Sequence, residues 1–260
     1  MIKISHEVPL VLLKPSRSFN DYDYALVHLF EIYPEYLEFF KESLKMGREV
    51  LLDNSIFELK EAFEEGKFAN WVEELEPTRY IIPDVLDDCA RTMINIESWN
   101  RNYPFIKGNS IGVVQGKNYQ ELTRCYEFIN QHCDEIAICF PHSHHQSEGL
   151  SKNQFEDRMK NRQLLIERWL REGVINKEKR HHLLGCLLPQ EFKAYKNYDW
   201  IYSLDTSNPV LHGIKGILYE EGSLSDKVNV KMADIMAEDI DSLQCWNVLE
   251  NIRQFKNNIS

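Results

Sequence analysis

Apolar positions along the chain gather into short continuous runs, and between the runs they recur every three or four residues. The runs are Val8–Leu13, Glu49–Leu52, Arg79–Ile82, Ser110–Val114, Glu135–Phe140, His181–Leu187, Asp199–Leu204 and a weaker Gly213–Tyr219. The intervening periodic stretches are Glu35–Met46, Leu59–Leu75, Asp88–Trp99, Tyr119–Gln131, Gln154–Arg171 and Gln190–Tyr195, and one last helix is predicted from residue 239 to about 256. Strands that are apolar throughout, rather than at every second position, are buried on both faces, as parallel strands covered by helices are. Eight such strands alternating with helices predict a (β/α)8 TIM-type barrel, and a barrel of this kind needs about 250 residues. No G-x-G-x-x-G follows the first run, which argues against a dinucleotide-binding open sheet. With 260 residues and no repeat, linker or low-complexity tract, residues 1–260 are expected to form a single domain.

Composition narrows the picture only slightly. Thirty Lys+Arg against 41 Asp+Glu give a net charge of −11, so a nucleic acid would have to be met by a local basic patch rather than by the surface as a whole. The six cysteines stand singly with no C-x-x-C pair, so neither a zinc site nor any other metal is expected, and the thiols are expected to be reduced core residues. No cofactor is expected either. The start, MIKISHEVPLVLL, has too short an apolar part for a signal peptide, and no run approaches a membrane span of about 18 residues. A cytoplasmic protein with no membrane partner is expected.

Chemistry is concentrated where the strands end. In a barrel of this type the carboxyl ends of the strands carry the active site. Here they deliver Asp53 (LLDNS), Asp84 (IIPD), Gln115 and Gly116 (VVQG) and Asp205 (SLDTSNPV). Each aspartate alone is a good helix cap or turn residue. Three carboxylates and a carboxamide at one rim are also equipment for attack on a sugar carbon, proton transfer and recognition of a planar heterocycle. Sugar hydrolysis uses two carboxylates in a related way and stands as a rival.

In order, LLDNSIFE, YIIPDVLDD, IGVVQG, EIAICFP, HLLGCLLPQEF, YSLDTSNPV and GILYEEGSLSDKVNVK resemble the tRNA-guanine transglycosylases and their zinc-free phage and bacterial relatives, the 7-deazaguanine DNA transglycosylases. The resemblance implies that Asp205 is the nucleophile that bonds the sugar C1′ as guanine leaves, and that Asp53 moves the proton to and from the base. It further implies that Asp84, Gln115, Gly116 and, more loosely, Ala137 contact the guanine-like ring. Phe57, which follows the proposed acid/base loop, is the first candidate to stack on that ring, its alternative being a core aromatic at the start of a helix. The family has Ser-Gly-Gly-aromatic-Gln after the aspartate, whereas this chain has Asn54-Ser55-Ile56-Phe57-Glu58. Only Cys245 follows Cys186, so the cysteine-rich zinc segment of the tRNA enzymes has no counterpart in the sequence.

These features make DNA the expected partner, with its guanine flipped out or single-stranded, together with a free 7-deazaguanine base resembling preQ0. An accessory DNA-binding protein is a possible further partner. An RNA-directed enzyme and a catalytically silent nucleic-acid-binding barrel are the alternatives. Lys14, Arg17, Lys117, Lys215, Lys227 and Lys231 are candidates for phosphate contact, and Phe19, Tyr22, Tyr24 and Tyr219 are further candidates for stacking. The histidines of Pro141-His142-Ser143-His144-His145 form a polar loop or, less economically, a metal site, and His181-His182 reads as structural at the opposite end.

Overall fold

The computed structural model describes residues 2–139, 154–185, 188–224 and 228–259. Eight parallel strands, β1 (Lys3–His6), β2 (Asp23–Leu26), β3 (Val50–Asp53), β4 (Arg79–Ile81), β5 (Asn109–Val114), β6 (Glu135–Ile138), β7 (His181–Leu183) and β8 (Ile201–Thr206), form one sheet in the order β1-β8-β7-β6-β5-β4-β3-β2. The sheet is rolled into a nearly closed (β/α)8 TIM-type barrel. Around it stand α1 (Leu13–Ser16), α2 (Pro34–Lys45), α3 (Ile56–Leu59), α4 (Glu65–Leu75), α5 (Cys89–Asn102), α6 (Tyr119–His132), α7 (Gln154–Glu172), α8 (Asn208–Ile214) and α9 (Ser242–Ile259), with short 3-10 segments between them. No helix among the described residues is long and apolar enough to cross a membrane.

Local chemistry explains the helix starts. Asn118 accepts the Glu121 N–H and opens α6, whose Leu122, Cys125, Tyr126 and Ile129 are buried at the three- and four-residue spacing of one helical face. Asp88 does the same for α5 by accepting the Arg91 N–H. Both helices pack on strands whose residues are buried almost throughout, as the continuous apolar runs require.

Two of the predicted strands are misplaced. Val8–Leu13 is a 3-10 turn (Leu10–Leu12) leading into α1, since Pro9 and Pro15 remove ladder donors and suit the first turn of a helix. The first strand is instead the short, mixed KISH segment, and β2, the equally short DYAL segment, escaped the pattern altogether. Gly213–Tyr219 is no strand: its first two residues close α8, the next two are a turn and the last three are irregular. The Leu59–Leu75 stretch is split into α3 and α4, and Gln190–Tyr195 is a 3-10 helix, Pro189–Tyr195. The last helix begins at Ser242, three residues later than residue 239.

β1 and β2 share no ladder, and side chains close the seam between them. The Asp21 N–H donates to the Ile4 carbonyl and the Asp21 carboxylate accepts the Ile4 N–H, both at 2.9 Å. Asn20 accepts the His6 N–H at 2.8 Å and donates to the His6 carbonyl at 3.0 Å. At the amino end of the barrel, Arg79 fills the interior, donating to Glu135 (2.8 and 2.5 Å), Glu49 (3.2 Å) and Ser203 (2.9 Å). A buried guanidinium with this many acceptors is satisfied, and the barrel is plugged at that end.

Candidate active site

The opposite, carboxyl end holds a cavity of about 730 Å3. Strand-end residues line it: Asp53 at the end of β3, Asp84 after β4, Gln115 after β5 and Asp205 in β8. The four positions singled out in the sequence therefore converge on one space.

Asp205 is buried (4% exposed) and held from one side. Its Oδ1 accepts the Gly185 N–H at 3.2 Å and lies 3.1 Å from His182 Nε2. Gly185 sits at φ +66°, a conformation that favours glycine, and this turn aims its amide at the carboxylate. The other ring nitrogen, His182 Nδ1, is 2.8 Å from Ser203 Oγ, which already accepts from Arg79. Burial pushes the His182 pKa down although the Asp205 charge opposes it, so the ring is neutral and carries one proton. A carboxylate only accepts; the proton is therefore on Nε2, and the Ser203 hydroxyl donates to the bare Nδ1. A chain of donors thus runs from Arg79 through Ser203 and His182 to Asp205 Oδ1. Tyr24, stacked over His182 with ring centroids 6.3 Å apart, packs the imidazole in place.

Asp53 is also buried, and its Oδ1 accepts the Ser55 N–H at 2.6 Å. Burial raises its pKa well above the usual carboxylate range, and the neighbouring Glu58 adds to the effect. The loop that brings Glu58 close turns through Ser55 at φ +61°, a left-handed position where the resembled family has glycine. Strained backbone of this kind persists where surrounding structure enforces it. Glu58 is itself pushed up to about 7 by burial and by the Asp205 charge.

Asp84 and Gln115 form a unit. Gln115 Nε2 donates to Asp84 Oδ2 at 2.6 Å, Asn54 Nδ2 donates to Asp84 Oδ1 at 2.8 Å, and Gln115 Oε1 accepts the Asp87 N–H at 3.0 Å. Burial raises the Asp84 pKa. The pair presents a carboxyl and a carboxamide side by side in fixed orientation.

Other expectations fare differently. Phe57 lines the cavity and is 41% exposed there. Gly116 does not line it: an added Cβ would lie 2.8 Å from Glu121 Cβ, so the glycine lets α6 pack closely. Ala137 is fully buried in β6, two residues below Cys139, which does line the cavity. Tyr24 is a wall residue, whereas Tyr22 donates to the Leu204 carbonyl inside the barrel, Tyr219 is buried against Asn208, and Phe19 packs edge-on to His6. Of the basic candidates, Lys231 lines the cavity and Lys14, Arg17, Lys117 and Lys215 do not. Arg17 is committed to α2, through the Phe39 carbonyl, Ser43 and Glu42, and Lys215 caps the far end of α8, the amino end of the barrel. The placing of His182 at the opposite end is corrected: β7 is only three residues long, so its second residue already reaches Asp205. Pro141 to His145, Cys186 and Lys227 lie outside the described residues.

Glu7, Glu58, Lys60 and Arg158 also line the cavity and were missed. Only Glu58 carried a signal, standing where the resembled family has glutamine. No protein-family model matches the chain, and no curated protein matches it either.

Proposed function

We propose that the protein exchanges guanine in DNA for a 7-deazaguanine base through a covalent aspartyl-sugar intermediate. The observation that carries this reading is that Asp205, Asp53 and the hydrogen-bonded Asp84–Gln115 pair line one cavity. The residues that carry the resemblance to the transglycosylases are the same ones, and that resemblance is the basis for naming the substrate.

Each residue has a role its surroundings suit. Asp205 Oδ1 is occupied by two donors, and Oδ2 has no hydrogen bond among the described residues, so Oδ2 is the atom that attacks C1′. The C1′–N9 bond breaks and the guanine takes up the proton that Asp53, kept protonated by burial, supplies. The incoming base gives its N9 proton to the Asp53 carboxylate, N9 bonds C1′, and Asp205 is released. Asp84 accepts from the N–H edge of the base, the Gln115 carboxamide faces its carbonyl, and Phe57 lies against the ring. Removing a buried polar partner from such a pair penalises the wrong base strongly.

The test is incubation of the protein with guanine-containing single-stranded DNA, matching tRNA and free preQ0, followed by mass spectrometry of the digested nucleosides. The expected result is a deazaguanine nucleoside from DNA and a protein–DNA adduct in wild type, with both lost in Asp205→Asn. Exchange in Asp205→Asn near the wild-type rate would overturn the assignment. Release of guanine with no incorporation would instead point to hydrolysis, and exchange on tRNA alone to the RNA-directed reading.

A further inference from the structure

We propose that the cavity carries an anion subsite, formed by Lys60, Arg158 and Lys231, that takes the phosphate of the substrate nucleotide. The proposal rests on the nucleotide reading above for the identity of the ligand, but the cations stand on their own geometry.

Three distant segments each bring one cation to the lining of the same cavity: Lys60 from the left-handed C-terminal cap of α3, Arg158 from the first turns of α7 and Lys231 from the residue before the 3-10 turn Met232–Ile235. In a chain of net charge −11, basic side chains readily find carboxylates, as Lys3, Lys41, Arg79, Arg162 and Arg253 do. Among the described residues, none of the three cavity cations has a carboxylate oxygen within 4.0 Å. Glu58 feels the fields of Lys60 and Lys231 from beyond that distance.

Two of the three are held without being neutralised. Lys231 Nζ donates to the Glu58 carbonyl at 3.1 Å, leaving two further N–H groups, and Lys60 Nζ lies 4.8 Å from the centroid of the Phe57 ring. The third is incomplete. Arg158 Nε is shut off from solvent and has no acceptor among the described residues. A buried donor left in that state is costly, so the guanidinium gains by turning toward an acceptor that a ligand brings into the cavity. Phosphate is the anion that fits: its several oxygens can meet an arginine fork and two lysines at once, where a planar carboxylate offers two. With the phosphate held by these cations, the attached sugar lies in the same cavity as Asp205.

The test compares the binding of deoxyguanosine, deoxyguanosine 5′-monophosphate, a guanine-containing dinucleotide with an internal phosphodiester, and inorganic phosphate by titration calorimetry. The proteins are wild type, Arg158→Gln, Lys231→Gln and Lys177→Gln, the last an exposed residue between α7 and β7 at the other end of the barrel. A phosphate-bearing ligand is expected to bind wild type at least tenfold tighter than the nucleoside, with inorganic phosphate competing. Arg158→Gln and Lys231→Gln should each erase most of that gap, with thermal melts unchanged, and Lys177→Gln should keep it. A preference for the dinucleotide over the monophosphate assigns the subsite to a polymer backbone, and the reverse to a free nucleotide. Equal binding of nucleoside and phosphorylated ligands, or an undiminished gap in both cavity variants, overturns the proposal. Phosphate binding without base exchange leaves the subsite standing and removes the transglycosylase reading; exchange with an unchanged KM in Arg158→Gln does the opposite.

Discussion

Asp53, Asp84, Gln115 and Asp205 were legible because each ends a buried apolar run, and in a parallel barrel that position is also the rim. His182 was not legible: in a sequence, a histidine pair at the start of a strand gives no hint of how short the strand is. Glu58 shows what such crowding does to a single group. Its ordinary pKa is 4.5, and burial with the Asp205 charge raises it to about 7 in the folded protein. The fold therefore binds the proton more tightly than the unfolded chain, so this group favours folding fully below pH 4.5, and the advantage is lost as pH rises to about 7. Glu58→Gln removes that loss. Relative to wild type it is expected to gain stability progressively between pH 4.5 and 7, by about 2 kcal/mol once partial exposure has screened the full effect. Denaturant titrations at half-unit pH steps measure it; a stability difference that stays flat across that window would refute it.

At the scale of elements, the sequence pattern was reliable for the long amphipathic helices and for β3 to β8, and it misplaced the runs Val8–Leu13 and Gly213–Tyr219. It failed for β1 and β2, whose four-residue segments carry Lys3, His6 and Asp23, because barrel ends and seams accept polar residues that a central strand would not. It also failed for the wall cations: Arg158 belongs to a helix that reads only as amphipathic, and Lys60 and Lys231 belong to turns. The junction of α8 and α9 offers a sharp test of packing. Gly213 lies within α8, where alanine would ordinarily gain up to about 1 kcal/mol in helix propensity. An added Cβ would, however, lie 2.5 Å from the Val248 N and 2.6 Å from its Cα, so backbone rather than a flexible side chain must move. Overpacking of that kind costs about 3 kcal/mol, and the clash wins. Gly213→Ala should lower the unfolding free energy by about 2 kcal/mol; an unchanged denaturation midpoint would show that α9 shifts freely.

For the whole molecule, the barrel class followed from alternation alone, while its closure did not, because nothing in the spacing of runs says which pair of strands fails to join. Side chains of Asn20 and Asp21 do the work of a ladder at the β1/β2 seam, and side chains can let go one at a time. The cylinder is thus a rolled ribbon with a hem, and hydrogen exchange should find it. Asn20→Ala removes the acceptor of the His6 N–H, a buried bond worth about 1 to 3 kcal/mol when left unmade. Exchange of the His6 amide should quicken by about tenfold or more, while amides in the β3/β4 ladder keep their wild-type rates. Equal rates at His6 would mean that the seam never opens without the rest of the barrel. Glu7, one residue beyond the hem, is part of the cavity wall, so breathing at this edge is passed on to the cavity.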